Sequence, residues 1–192
     1  MYGAIAIFPV IAAAAAAICI PFWQYRKKHG IPFPAARKVT IFAFAGMVLM
    51  LIFATILWGG ITFHPQWRFL NLTPFSWYST TYEMGWNRMT EQLLLNVVMF
   101  LPLGLLVPMV FRRQRRFWRT ALTALCCTAA IETIQYFIGR SADIDDVIMN
   151  FLGTVLGYGI FALARLLFSR SRTWHEALGL PFSAGVSFPP EP

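Results

Sequence analysis

Four long stretches of this sequence contain no charged side chain, and a fifth contains only one. They run Met1 to Tyr25, Val39 to Phe63, Gln92 to Phe111, Thr120 to Ile138 and Val147 to Ala164, with Glu132 interrupting the fourth. About 20 apolar helical residues cross a hydrocarbon core about 30 Å thick, so each stretch is long enough to span a bilayer. Backbone groups in lipid must bond within their own segment, and no alternating period marks a barrel strand, so helices are expected. The expected fold class is all-α: a polytopic membrane bundle of about five transmembrane helices, multi-pass in the plasma or inner membrane, with the lipid bilayer as its first partner. The first stretch is apolar from its start and its basic residues follow it, which argues against a cleaved signal.

The connections predict an orientation. Arg26, Lys27, Lys28, Arg37 and Lys38 follow the first span; Arg112, Arg113, Arg115, Arg116 and Arg119 follow the third; Arg165, Arg170 and Arg172 follow the fifth. The opposite side receives only Arg68, Arg88 and Arg140. The positive-inside rule makes the basic side cytoplasmic, with the N-terminus outside and the C-terminus inside. This asymmetry accounts for the net charge of +8 as a topology signal, so nucleic acid is not expected as a partner. The cluster from Arg112 to Arg119 reads as a cytoplasmic charge anchor that attracts anionic lipid.

The expected organisation is two N-terminal spans with a basic cytoplasmic loop (1–63), an extracytoplasmic aromatic loop (64–91), a three-helix core (92–168) and a partly disordered cytoplasmic tail (169–192). The aromatic loop carries Trp67, Trp77, Tyr78, Tyr82 and Trp86, rings that favour the headgroup level, so an interface-lying or re-entrant segment is expected. Pro181 to Pro192 holds four prolines and no helical period. Cys19, Cys126 and Cys127 lie within apolar stretches and read as small packing residues, not as a disulfide or a metal site.

Glu132 is the anomaly. A carboxylate at mid-bilayer depth costs about 2.5–3.5 kcal/mol on insertion scales, somewhat less near the interface. At 100° per residue Leu125, Thr128, Glu132 and Gln135 share one narrow stripe, which is expected to face protein. After this helix comes a charged turn, Arg140-Ser141-Ala142-Asp143-Ile144-Asp145-Asp146. Asp143, Asp146, Asn150, Gly153 and Gly157 recur at helical spacing, so one face of the fifth span begins with carboxylates and an amide and ends in glycine. Gly153 and Gly157 allow a neighbouring helix to approach closely. Asp145 falls off that stripe and reads as a solvated capping residue. In the third span Asn96 lies near the outer end, and Pro102 is expected to kink the helix. Asn96, Glu132, Gln135, Arg140, Asp143, Asp146 and Asn150 are thus expected at one depth, facing outward.

Asn96-Val97-Val98-Met99-Phe100-Leu101-Pro102-Leu103-Gly104, Glu132-Thr133-Ile134-Gln135, and the run from Arg140 through Asp143, Asp146, Asn150 and Gly153 to Gly157 resemble the VanZ-like membrane proteins. Asn71-Leu72-Thr73-Pro74-Phe75 also resembles a segment that precedes the third helix in that family. The resemblance covers about half of the chain, from Asn71 to about Arg165, and makes 92–168 a VanZ-like core. The family takes its name from a glycopeptide-resistance cluster whose founding member is associated with reduced susceptibility to teicoplanin. Most relatives have no assigned activity, so the resemblance implies an envelope context without specifying a reaction.

Three readings of the cluster stay open. In an enzyme acting on a lipid-linked envelope precursor, Glu132, Asp143 and Asp146 are the candidate catalytic groups, and Asn96, Gln135, Arg140 and Asn150 the candidate substrate contacts. Their oxygen donors suit a hard cation such as Mg²⁺, although the sequence names no metal or cofactor. No histidine joins the set, which argues against zinc. In a binding protein, the same residues recognise an envelope lipid, a glycolipid or a lipophilic glycopeptide without reaction. In a scaffold, Glu132 pairs with Arg140, the aspartates cap a helix, and nothing binds.

Overall fold

The computed structural model describes residues 7–31, 33–76 and 86–182. It is an all-α membrane helix bundle. Helices α1 (Ile7–Lys28), α2 (Ala35–Ile52), α3 (Trp86–Val110), α4 (Phe117–Phe137) and α5 (Ile144–Leu167) follow one another, and a short α6 (Arg172–Ala177) closes the described chain. Among the described residues, four helical segments are long and apolar enough to cross a membrane: Ile7–Lys28, Ala35–Leu57, Thr90–Val110 and Ile144–Leu167. Helix α4 has the length, but four threonines, Glu132 and Gln135 dilute its apolar character. Large apolar side chains on the outside of the bundle, among them Leu94, Leu95 and Val98 of α3 and Leu152, Leu156 and Ile160 of α5, are exposed. Helices apolar on their outer as well as their inner faces require lipid around them.

The pair α3–α5 is the spine of the bundle. A methyl group at Gly153 would collide with the carbonyl of Val97, one at Gly157 with that of Leu101, and one at Gly104 with the backbone of Thr154. Three glycines therefore let the two backbones touch, and Gly153 and Gly157 draw in the third span, α3. Phe100, Leu103 and Val107 of α3 then meet Met47 and Leu51 of α2 and Ala124 of α4 in one core. Helix α3 runs helical through both Pro102 and Pro108 and begins at Trp86 instead of Gln92.

Helix α2 ends in a π-helical turn, Phe53–Leu57, rather than continuing as α-helix toward Phe63. Beyond it, Thr62 donates from both its N–H and its hydroxyl to the carbonyl of Ile138, which ties the end of α2 to the end of α4. The first part of the outer loop is tied to the bundle. Leu70–Asn71 (β1) pairs in parallel with Ala142–Asp143 (β2), with Leu70 opposite Ala142 and Asn71 opposite Asp143. Trp77, Tyr78 and Tyr82 lie outside the described residues, as do residues 183–192 of the expected tail.

At the basic end, two of the arginines expected to act as topology charges also have structural roles. The last carbonyls of a helix lack intrahelical partners. In α3 Pro108 receives Arg115 Nε at 3.3 Å, Met109 receives Arg37 Nη1 at 2.8 Å and Val110 receives Arg37 Nη2 at 2.8 Å. The same guanidinium groups reach α6 and the residue after it: Arg37 donates to Ala177 and Arg115 to Leu178, both at 2.9 Å. The start of the expected tail is thereby helical, with His175, Ala177 and Leu178 buried. Charge clustering in sequence does not distinguish an arginine that faces headgroups from one that caps a helix.

Candidate functional site

The opposite end of the bundle holds every polar residue singled out in the sequence. Asp143 is the N-cap of α5: its carboxylate accepts the N–H of Asp145 at 2.8 Å, satisfying one orphan donor of the first turn. It also accepts Asn71 Nδ2 at 3.0 Å, while its own N–H donates to Glu132 Oε2 at 3.0 Å. Glu132 is thus tied to the backbone that enters α5. The buried side chain is oriented by a fixed donor.

Asp146, one position beyond Asp145, accepts Asn96 Nδ2 at 2.5 Å and links α5 to α3 above the glycine contact. Deeper in the bundle Asn150 donates to Thr128 Oγ1 at 3.0 Å, joining α5 to α4 with both residues buried. Gln135 Nε2 and Arg140 Nη1 share one acceptor, the carbonyl of Thr55, at 2.9 and 2.6 Å. That carbonyl is left open where the π-turn ends, so two side chains from the α4 end take the place of a missing helical bond.

The seven candidates therefore occupy one end of the bundle but divide into four linked pieces: Asn96 with Asp146, Glu132 with Asp143, Asn150 with Thr128, and Gln135 with Arg140 on Thr55. The Glu132–Arg140 ion pair of the scaffold reading is not formed; the guanidinium lies under Gly59 and donates to Thr55. Among the described residues, no three His, Cys, Asp or Glu side chains are grouped as a metal site. Leu125, expected on the inward stripe, is 47% exposed: it lies at the end of a stripe whose true centre is Thr128, Glu132 and Gln135.

Asp145 corrects the sequence reading most sharply. Expected as a solvated cap, it is only 4% exposed. Its Oδ1 accepts the N–H of Phe75 at 2.6 Å and its Oδ2 the hydroxyl of Ser76 at 3.0 Å. Phe75 has a positive φ of 62°, so the carboxylate holds a turn that a non-glycine residue rarely adopts. Asn71 shapes the same turn by accepting Thr73 N–H at 3.2 Å and donating to Ser76 Oγ at 2.5 Å. The segment Asn71 to Phe75 was the only local signal for this clasp. Its partner lies about 70 positions away, beyond the reach of periodicity.

Beside Glu132 and Asp143 lies an open groove of about 250 Å³, bounded by Leu70 and Leu72 of the outer loop, Ala129, Thr133 and Tyr136 of α4, and Ile144 and Val147 of α5. Its walls are mostly apolar, with the two carboxylate residues at one side. The sequence alone did not indicate this groove, because the outer loop forms one wall only after β1 pairs with β2.

The sequence model of the VanZ/LLP1 family matches residues 39–169, from the second turn of α2 through the whole of α5. No curated protein and no solved structure matches the chain.

Proposed function

The chain belongs to the VanZ/LLP1 family, and from that premise we propose that it recognises a lipid-linked molecule of the cell envelope in the groove beside Glu132. One observation carries this reading: a buried carboxylate held in place by a backbone N–H stands at the side of an apolar groove. Such a groove takes an apolar chain, and Glu132 takes a donor from its head group, a hydroxyl or an amine. The outer loop, clasped by Asp145, forms one wall and keeps the groove open at a fixed width.

In this reading the basic end of the bundle faces the cytoplasm, and α4 crosses the membrane together with the four more apolar helices. The groove then opens on the extracytoplasmic side of the plasma or inner membrane, where lipid-linked envelope precursors and glycopeptides such as teicoplanin are encountered. Occupying or retaining such a molecule changes glycopeptide susceptibility without a covalent step. Asp146 with Asn96, and Asn150 with Thr128, serve to position the helices around the groove, and Arg140 and Gln135 tie it to α2.

A catalytic reading has one feature in its favour. Among the described residues, Glu132 accepts a hydrogen bond through Oε2 alone, from Asp143, which leaves Oε1 to exchange a proton with a bound head group. Profiling envelope lipids and polymers in cells with and without the chain separates the two. Unchanged covalent products together with retained lipid or drug support recognition. A new or missing covalent product that depends on Glu132 replaces it with an enzyme.

A further inference from the structure

A second, larger groove lies at the opposite end of the molecule. Helices α2 and α4 meet at the Phe53–Leu57 turn, but toward the basic end both pack against α3 and diverge from each other. The gap between them has a volume of about 570 Å³, with Leu103 and Val107 of α3 as its floor, Val48 and Cys127 on facing walls, and Arg112 and Arg113 at its mouth. Both arginines are exposed, unlike Arg115 behind them, which is buried as a helix cap.

The groove reaches to about the depth of one lipid leaflet. Cys127 stands ten residues into α4 from Phe117, about 15 Å at 1.5 Å per residue, which is half of a hydrocarbon core of about 30 Å. Its polar end is equally specific. Two guanidinium groups offer planar donor forks to a phosphate. Gln114, which also lines the groove, has its side-chain oxygen buried without a hydrogen-bond partner. An unpaired buried acceptor is costly, and a ligand that brings a donor relieves it. Phosphate, adjacent hydroxyl and apolar chains occur together in phosphatidylglycerol.

We infer that the groove between α2 and α4 is a binding site for an anionic phospholipid of the phosphatidylglycerol class, its phosphate between Arg112 and Arg113 and an acyl chain along Leu103 and Val107. The site is independent of the Glu132 groove and of the function proposed for it.

Native mass spectrometry of the purified full chain, exchanged into phosphatidylglycerol or phosphatidylcholine with identical acyl chains, tests the site. The chain is expected to retain phosphatidylglycerol at least fivefold over phosphatidylcholine. Arg112→Ala and Arg113→Ala are each expected to lower that retention about fivefold, the weight of one basic side chain at an anionic surface. Arg116→Ala, exposed but outside the groove, is expected to leave it unchanged. Cys127→Trp fills the groove and is expected to remove the bound lipid; Val48→Trp does so from the facing wall and serves if the first variant does not fold. Equal retention of the two lipids overturns the inference, as does an Arg116→Ala loss as large as that of Arg112→Ala. Lipid still bound in a folded tryptophan variant, or a second copy of the chain in place of lipid, overturns it too.

Discussion

The N–H of Asp143 donates to Glu132 Oε2 at 3.0 Å, so the one carboxylate inside α4 is held by the backbone of the residue that caps α5. In the proposed function, recognition of the head group and the folding of the turn rest on different properties of the same side chain. Glu132→Gln keeps an oxygen that accepts from Asp143 and is expected to fold normally while losing ligand retention. Glu132→Ala leaves the Asp143 N–H without its partner and is expected to cost about 1–3 kcal/mol of stability. Thermal unfolding in detergent, read beside retention, separates the two losses.

Asp145→Ala is expected to release the outer loop. It removes the acceptors of Phe75 N–H and Ser76 Oγ and leaves the turn only its contacts to Asn71. Hydrogen bonds to a charged group contribute about 1.5–3 kcal/mol each. Hydrogen exchange should therefore accelerate by at least tenfold over residues 70–76 while the α3–α5 contact stays protected. Unchanged protection of the loop would refute the clasp.

The glycine contact predicts a position-specific loss. Gly153→Val and Gly157→Val place side chains on the carbonyls of Val97 and Leu101, so α3 and α5 must separate; a loss of at least about 3 kcal/mol is expected, on the scale of severe overpacking. Gly159→Ala has nothing within 4 Å of the added methyl and is expected to fold as well as the parent chain or slightly better, since alanine favours a helix. Monodispersity in detergent reports both.

Arg37→Lys is expected to behave as a loss, not as a conservative change. A single ammonium cannot present the guanidinium fork that now serves Met109, Val110 and Ala177 together. Loosening of the segment Arg172–Leu178, measured by protease cleavage, is the expected outcome in Arg37→Lys and in Arg37→Ala alike. Cleavage of Arg37→Lys no faster than that of the parent chain would deny the arginine its capping role.

Much of this architecture is legible in the sequence. Hydropathy and the stripe through Thr128, Glu132 and Gln135 identified a membrane bundle and the buried face of α4, because both are periodic and local. The spacing of Gly153 and Gly157 identified a close helix contact for the same reason. The solvated reading of Asp145 failed and the burial of Arg115 went unread for one cause: each is held by a partner far along the chain, Phe75 and Leu178 respectively, and local sequence treats such a charge as solvated. The groove beside Glu132 was invisible for a related reason. Its outer wall comes from a loop whose place is set by a parallel pairing of two residues with two.

Orientation has a direct test. Ser141 is exposed at the groove end, and a cysteine there, with Cys19, Cys126 and Cys127 replaced, is expected to react with a membrane-impermeant thiol reagent added outside intact cells. Labelling only after the cells are opened would reverse the topology.

The central claim is that Glu132 and its groove retain a lipid-linked envelope molecule. Its most direct measurement is mass spectrometry of lipids and added teicoplanin that co-purify with the parent chain and with Glu132→Gln from the same cells. The account predicts a polyprenyl-linked or glycopeptide species on the parent chain and at least a tenfold loss in the variant, with the phospholipid between α2 and α4 present in both. Equal amounts of that species on the two chains, or none on either, would contradict it.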